Sequence, residues 1–146
     1  MLPELKNCVL DHVAVAVKDL EAAVKTWEAL GLVFSPEREV VEEQKVVTAF
    51  APIDENGHIE LLEPTDESSA IAKFIEKKGP GIHHICFRVE DAAAKAEELK
   101  SKGFTLLYET PKAGAGNCLV NFIHPKSTGG VLVEISQKIG EEKAGK

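Results

Sequence analysis

The chain has 146 residues, 44% of them hydrophobic and 28% charged, and its 17 Lys and Arg against 24 Asp and Glu leave a formal net charge of -7. A chain of this length makes one domain that buries roughly two thirds of its unfolded surface. The acidic balance argues against nucleic acid and against an anionic membrane surface, and no apolar run approaches the roughly 20 residues that a bilayer span needs.

The opening stretch "MLPELKNCVLDHV" has no basic segment followed by an apolar core and a cleavage site, so a cytoplasmic protein is expected. Cys8, Cys86 and Cys118 are odd in number and irregularly spaced, which predicts reduced thiols. "HVAVAV", residues 12–17, alternates with period two and is rich in valine, and so predicts a strand. Asp19 then supplies a helix N-cap, Leu20, Val24 and Trp27 recur along one helical face, and Gly31 stops the helix. Strand signals follow at 32–38, 45–52 and 57–63. "TDESSAIAKFIEKKGPG", with capping residues, a stripe of Ile71, Phe74 and Ile75 and a Gly/Pro ending, predicts a linking helix over about 66–79.

The pattern then repeats. Sliding "HHICFRVEDAAAKAEELKSKGF" back by 72 positions sets His84 on His12, Val89 on Val17, Asp91 on Asp19 and Gly103 on Gly31 without a gap. Asp91 caps the second helix, Ala92, Ala96 and Leu99 form its stripe, and strands are predicted at 104–109, 117–124 and 130–136. The charged tail "KIGEEKAGK" has nothing to bury and is expected to fray. The fold class expected is α+β: one domain, 1–146, of two tandem βαβββ modules, about 9–63 and about 82–137. One sheet face of each module is left open by its own helix. Burying these faces together would give a cupped, barrel-like sheet with a cleft that holds the site.

Strand parity says what faces that cleft. His12, Ala14 and Ala16 share one face and Val13, Val15 and Val17 the other, and His84, Cys86 and Arg88 stand opposite Ile85, Phe87 and Val89. His83 therefore points away from His84's face and reads as packing or as a support behind the ligands. Each closing strand carries one acid inside an apolar run, Glu60 in "HIELLEP" and Glu134 in "VLVEIS", and an acid there is costly to bury unless paired or bound to a cation. Taken singly, a strand histidine or a lone glutamate is more often structural. Placed symmetrically in a duplicated unit, two imidazoles and two carboxylates make a donor set for Co, Mn, Ni, Zn or Fe.

These residues carry a resemblance. The paired units, with His on the first strand and Glu on the last, resemble the vicinal oxygen chelate superfamily. Within it "LDHVAVAV", "EEQKV", "IELLEP", "GIHHICFRV" and "NFIHPKSTGGVLVEISQ" resemble the methylmalonyl-CoA epimerases, from about residue 9 to residue 137. The resemblance implies one divalent metal ion per subunit (Co, Mn, Ni or Zn) held by His12, Glu60, His84 and Glu134, an acyl-CoA substrate, and a homodimer. It implies interconversion of (R)- and (S)-methylmalonyl-CoA by proton abstraction and return through a metal-stabilised enolate. Two bases are needed for inversion. Glu134 is the first, and Glu43, just before Gln44 and Lys45, is the choice for the second. Some similar enzymes have a glutamate in the following strand, where this chain reads "VVTAFAP". Gln44, Lys45, Lys126 and Ser127 are the candidates for substrate contact. "HPKS" is equally a plain turn before the last strand, and Lys45, Lys112 and Lys126 are either local positive potential or solvated surface. Two other functions fit less well: a glyoxalase-like metal-dependent lyase with the same ligands, and a metal-free binding protein of the resistance type, which has no use for paired ligands.

Overall fold

The computed structural model describes residues 8–139. The expected fraying of "KIGEEKAGK" falls mostly on residues 140–146, outside the described residues. Among these residues eight strands and three α-helices make an α+β fold: β1 (Val9–Ala16), α1 (Leu20–Ala29), β2 (Glu39–Val41), β3 (Val46–Pro52), β4 (His58–Pro64), α2 (Ala70–Lys78), β5 (Gly81–Arg88), α3 (Ala92–Ser101), β6 (Lys112–Gly114), β7 (Cys118–Ile123) and β8 (Val133–Lys138). The chain divides into two compact units, one of residues 12–83 and one of residues 84–139 together with 8–11.

In the first unit the strands run in the order β2-β3-β4-β1. β4 pairs antiparallel with β3 and parallel with β1, in a register that sets His12 beside His58 and Ala14 beside Glu60. Asp19 caps α1 by accepting from the Ala22 amide at 3.1 Å. Glu63, three residues after Glu60, reaches the first turn as well and accepts from the Leu20 amide at 2.8 Å. Two orphan donors of the helix start are thereby satisfied. Leu20 and Val24 of α1 pack with Val15, Val17, Phe34, Ala49, Ala51 and Leu61, with Trp27 partly buried against them. Val15 of β1 and Val17 just beyond it therefore do face the helix. Leu61 is fully enclosed, so Leu61→Ala is expected to lower stability by about 2–5 kcal/mol, measured by urea unfolding.

The second unit repeats the arrangement, with strand order β5-β8-β7-β6. β5 runs parallel to β8 with Cys86 beside Glu134. Asp91 caps α3 through the Ala94 amide at 3.0 Å, and Gln137, three residues after Glu134, accepts from the Ala92 amide at 2.8 Å. Val89, Ala92, Ala96, Ile123 and Ile135 form its core. Gly31 and Gly103, at φ of 109° and 95°, each leave a helix end through a region that side chains avoid.

Two predicted strands take a different form. Over 32–38 there is no strand. Ser35 donates to the Phe50 carbonyl at 2.9 Å, Pro36 then has no N–H to give, and regular pairing begins only at Glu39. Over 104–109 the pairing is a single bridge, Leu106 to Ile123. Beyond it the fully buried Asn121 replaces the ladder with its side-chain amide, accepting from the Tyr108 N–H and donating to the Tyr108 carbonyl, each at 3.0 Å. A side chain that satisfies both backbone groups of Tyr108 removes the need for a strand there. The linking helix forms as α2, capped by Ser69, whose hydroxyl accepts from the Ile71 and Ala72 amides.

Candidate functional site

Each unit holds one buried histidine against one buried glutamate. In the first, His12 Nε2 lies 3.0 Å from Glu60 Oε1, and in the second, His84 Nε2 lies 2.8 Å from Glu134 Oε1. All four residues are between 4% and 7% exposed. The register explains the likeness. His12 stands two residues before Ala14, the partner of Glu60, and His84 two residues before Cys86, the partner of Glu134, so each histidine shares a sheet face with its acid one pleat away. On the other side of each acid stands a phenylalanine, Phe50 opposite Glu60 and Phe122 opposite Glu134.

A buried carboxylate without compensation would cost several kcal/mol, and each of these faces a ring nitrogen. The donor atoms are imidazole nitrogen and carboxylate oxygen, the set that first-row divalent ions take. Their separations also suit a metal, because bonds of about 2.1 Å place neighbouring donors on one ion roughly 3 Å apart. The residues therefore fit a divalent cation. Among the described residues, Asp11, His58 and Cys86 also offer donor atoms of metal-binding chemistry.

The other sequence-predicted residues lie as follows. His83 faces away from the acids and meets Phe74 of α2 edge to face, with ring centroids 4.9 Å apart. Glu43 and Lys45 are exposed, and Gln44 half-buried, on the four-residue turn between β2 and β3. That turn is pinned: Lys45 adopts φ of 57°, its carbonyl accepts from the Thr65 N–H at 2.9 Å, and its ammonium donates to Ser68 Oγ at 2.5 Å and lies 3.9 Å from Asp66. Lys126 and Ser127 lie in a 3-10 turn, Pro125–Thr128, which His124 caps by accepting from the Lys126 amide at 3.0 Å. Ser127 Oγ accepts from the Thr105 amide. "HPKS" is thus a turn, and Lys126 stands exposed on it. Burial pushes the Cys118 thiol above its ordinary range, which keeps it protonated and inert at neutral pH.

Two residues, Asp11 and His58, escaped the sequence reading. Asp11 is buried 3.6 Å from Arg88 Nη1, so the guanidinium that parity set on His84's face has a carboxylate partner. His58 stacks on His12 with ring centroids 4.8 Å apart and an interplanar angle of 30°. Its place two residues before Glu60 was the available signal, since that spacing puts both on one face.

Residues 11–122 match the profile of the Glyoxalase/Bleomycin resistance protein/Dioxygenase superfamily. The ethylmalonyl-CoA/methylmalonyl-CoA epimerase of Cereibacter sphaeroides is 45% identical over 132 residues, which cover 88% of this chain and 96% of that protein. The mitochondrial methylmalonyl-CoA epimerase of Homo sapiens is 40% identical over 129 residues, covering 88% of this chain and 73% of its own length. Among solved structures, a variant of Streptomyces coelicolor methylmalonyl-CoA epimerase in complex with 2-nitronate-propionyl-CoA superimposes with a TM-score of 0.86 at 36% identity, over 91% of this chain and 99% of that one. With two His–Glu pairs in a repeated βαβββ frame and matches that run through nearly its whole length, the chain belongs to the Glyoxalase/Bleomycin resistance protein/Dioxygenase superfamily and is closely related to the methylmalonyl-CoA epimerases.

Proposed function

We infer that this chain is a methylmalonyl-CoA epimerase, which interconverts the (R) and (S) forms of its substrate. The observation that carries the reading is the 45% identity with an ethylmalonyl-CoA/methylmalonyl-CoA epimerase over 96% of that protein. His12, Glu60, His84 and Glu134 are proposed as the ligands of one divalent ion, on the strength of the repeated His–Glu pairs. When bound, such an ion supplies fixed positive charge beside the substrate oxygens as negative charge develops on them.

The protein's own task is proton handling. The hydrogen to be moved sits on a carbon between a thioester and a carboxylate. A carboxylate on one face of that carbon takes the proton, the C–H electron pair spreads onto the adjoining oxygens, and an acid on the opposite face returns a proton. Glu134 is the group proposed for one face and Glu43 for the other. Gln44 and Lys45, beside Glu43, and Lys126 and Ser127, on the Pro125–Thr128 turn, are proposed to hold the acyl-CoA. Two exposed ammonium groups offer local attraction for the phosphates on an otherwise acidic chain.

Incubating a single epimer of methylmalonyl-CoA in deuterated water tests the function. Inversion accompanied by incorporation of one deuterium at C2 is expected by mass spectrometry and chiral assay. A substrate that keeps both its hydrogen and its configuration would send the reading to another metal-dependent member of the superfamily. The name of the Cereibacter relative also favours a wider substrate range. One more methylene changes binding by only about 1–3 kcal/mol, so ethylmalonyl-CoA is expected to be inverted too, within about a hundredfold in kcat/KM. A homodimer is proposed as well, for which light scattering is the check. Among the described residues no helix is long and apolar enough to cross a membrane.

A further inference from the structure

The two histidines of the site are supported differently. In the second unit Phe122, the cross-strand neighbour of Glu134, meets the His84 ring directly, edge to face, with centroids 5.4 Å apart and planes at 89°. In the first unit the equivalent Phe50 meets His58 instead, at 4.7 Å and 60°. His58 in turn stacks on His12 at 4.8 Å. His58 is thus the middle ring of a column, Phe50–His58–His12, whereas in the second unit Phe122, which also meets Tyr108 edge to face, contacts His84 directly. The residue two before Glu134 is Leu132, which joins the apolar cluster of Cys118, Val120 and Phe122 and brings no ring to His84.

The register builds this column. His58 pairs with His12 across the parallel β4–β1 ladder and faces Pro52 across the antiparallel β4–β3 ladder, two residues along from Phe50. Side chains at directly paired positions stand side by side on one face. The His58 ring therefore fills the space between Phe50 and His12. His12 is a two-torsion side chain whose Nε2 must meet Glu60 at 3.0 Å, and a ring face laid against it removes the freedom to swing away. His58 Nε2 stands 4.0 Å from Glu60 Oε1, beyond hydrogen-bond length.

We propose that His58 is a positioning residue of the metal site: its ring, wedged between Phe50 and His12, holds the His12 imidazole in the orientation that offers Nε2 beside Glu60. The inference rests on the reading of His12 and Glu60 as metal ligands. Groups that orient ligands in this way typically cost about 10–100-fold in metal affinity when removed.

Cobalt(II) binding to the full chain, followed by chelator competition, tests this without recourse to turnover. His58→Ala and His58→Leu, which lack a ring, are expected to bind cobalt about 10–100-fold more weakly. His58→Phe, which keeps a ring face and loses both nitrogens, is expected to stay within about threefold of the wild type on the same scale. Should His58→Ala fail to fold, His58→Leu carries the test, since it reproduces the leucine that the second unit bears. Wild-type affinity in the ringless variants would overturn the proposal, and so would a His58→Phe as weak as His58→Leu, because the nitrogen would then be the acting group. Failure of the ligand reading shows up separately, as a wild-type chain that takes up no cobalt or a His84→Ala chain that takes up as much as the wild type.

Discussion

His12→Ala and His84→Ala are each expected to lose the divalent ion on dialysis and with it nearly all epimerase activity, a fall of about 10²–10³-fold in kcat. The size of the effect follows from where these rings lie. Each is buried, and each presents Nε2 within 3.0 Å of a carboxylate that is itself buried. Cutting the ring back to a methyl removes a donor and strands the partner acid, Glu60 or Glu134, in low dielectric without its neighbour. Metal retention and activity should therefore fail together, and thermal unfolding without added metal should show a lowered midpoint as well. Metal analysis after dialysis is the primary measurement. Full occupancy in the His12→Ala, His84→Ala double variant would remove both residues from the ligand set. As a control, His83→Ala is expected to keep its metal, because that ring contacts Phe74 rather than an acid.

The His–Glu pairs of the candidate site were legible because the chain states them twice. Parity along "HVAVAV" and "HHICFRV" placed His12 and His84 opposite the bulky valines and isoleucine, and the structure pairs each with the acid of its own closing strand. Helix limits were legible for a similar reason, since Asp19 and Asp91 act through their own side chains on amides three residues ahead. Strands at 32–38 and 104–109 were not. Their form depends on groups distant in sequence: Phe50, which offers a single carbonyl to Ser35, and Asn121, which spends its amide on Tyr108. No periodicity in 104–109 could reveal that a side chain from β7 would take over the backbone bonds. His58 was missed for a different reason. Its pattern was visible, two residues before Glu60, but its meaning arises only from the β4–β1 register that lays it on His12.

The second acid/base group is where a single atom decides most. Glu43 sits on a turn whose backbone is held in place by the Thr65 amide and by the contact of the Lys45 ammonium with Ser68, while its own side chain is exposed. A pinned backbone with a free carboxylate suits a group that must reach a substrate carbon and yet be rehydrated between turnovers. Glu43→Gln keeps the shape of the side chain and removes its basicity, and it leaves His12, Glu60, His84 and Glu134 unaltered. The variant is expected to retain its metal and to fold as the wild type does. In deuterated water it should still exchange the C2 hydrogen of one epimer, the one whose hydrogen faces Glu134, while inversion falls by about 10²–10⁴-fold, the usual contribution of a positioned acid or base. Exchange without inversion is a signature that a general loss of binding cannot imitate, because a weakly bound substrate loses both together. Inversion at the wild-type rate would clear Glu43 of the role and pass it to Glu42, its exposed neighbour on the same turn, or to a bound water. Glu42→Gln, assayed in the same way, would then decide between those two.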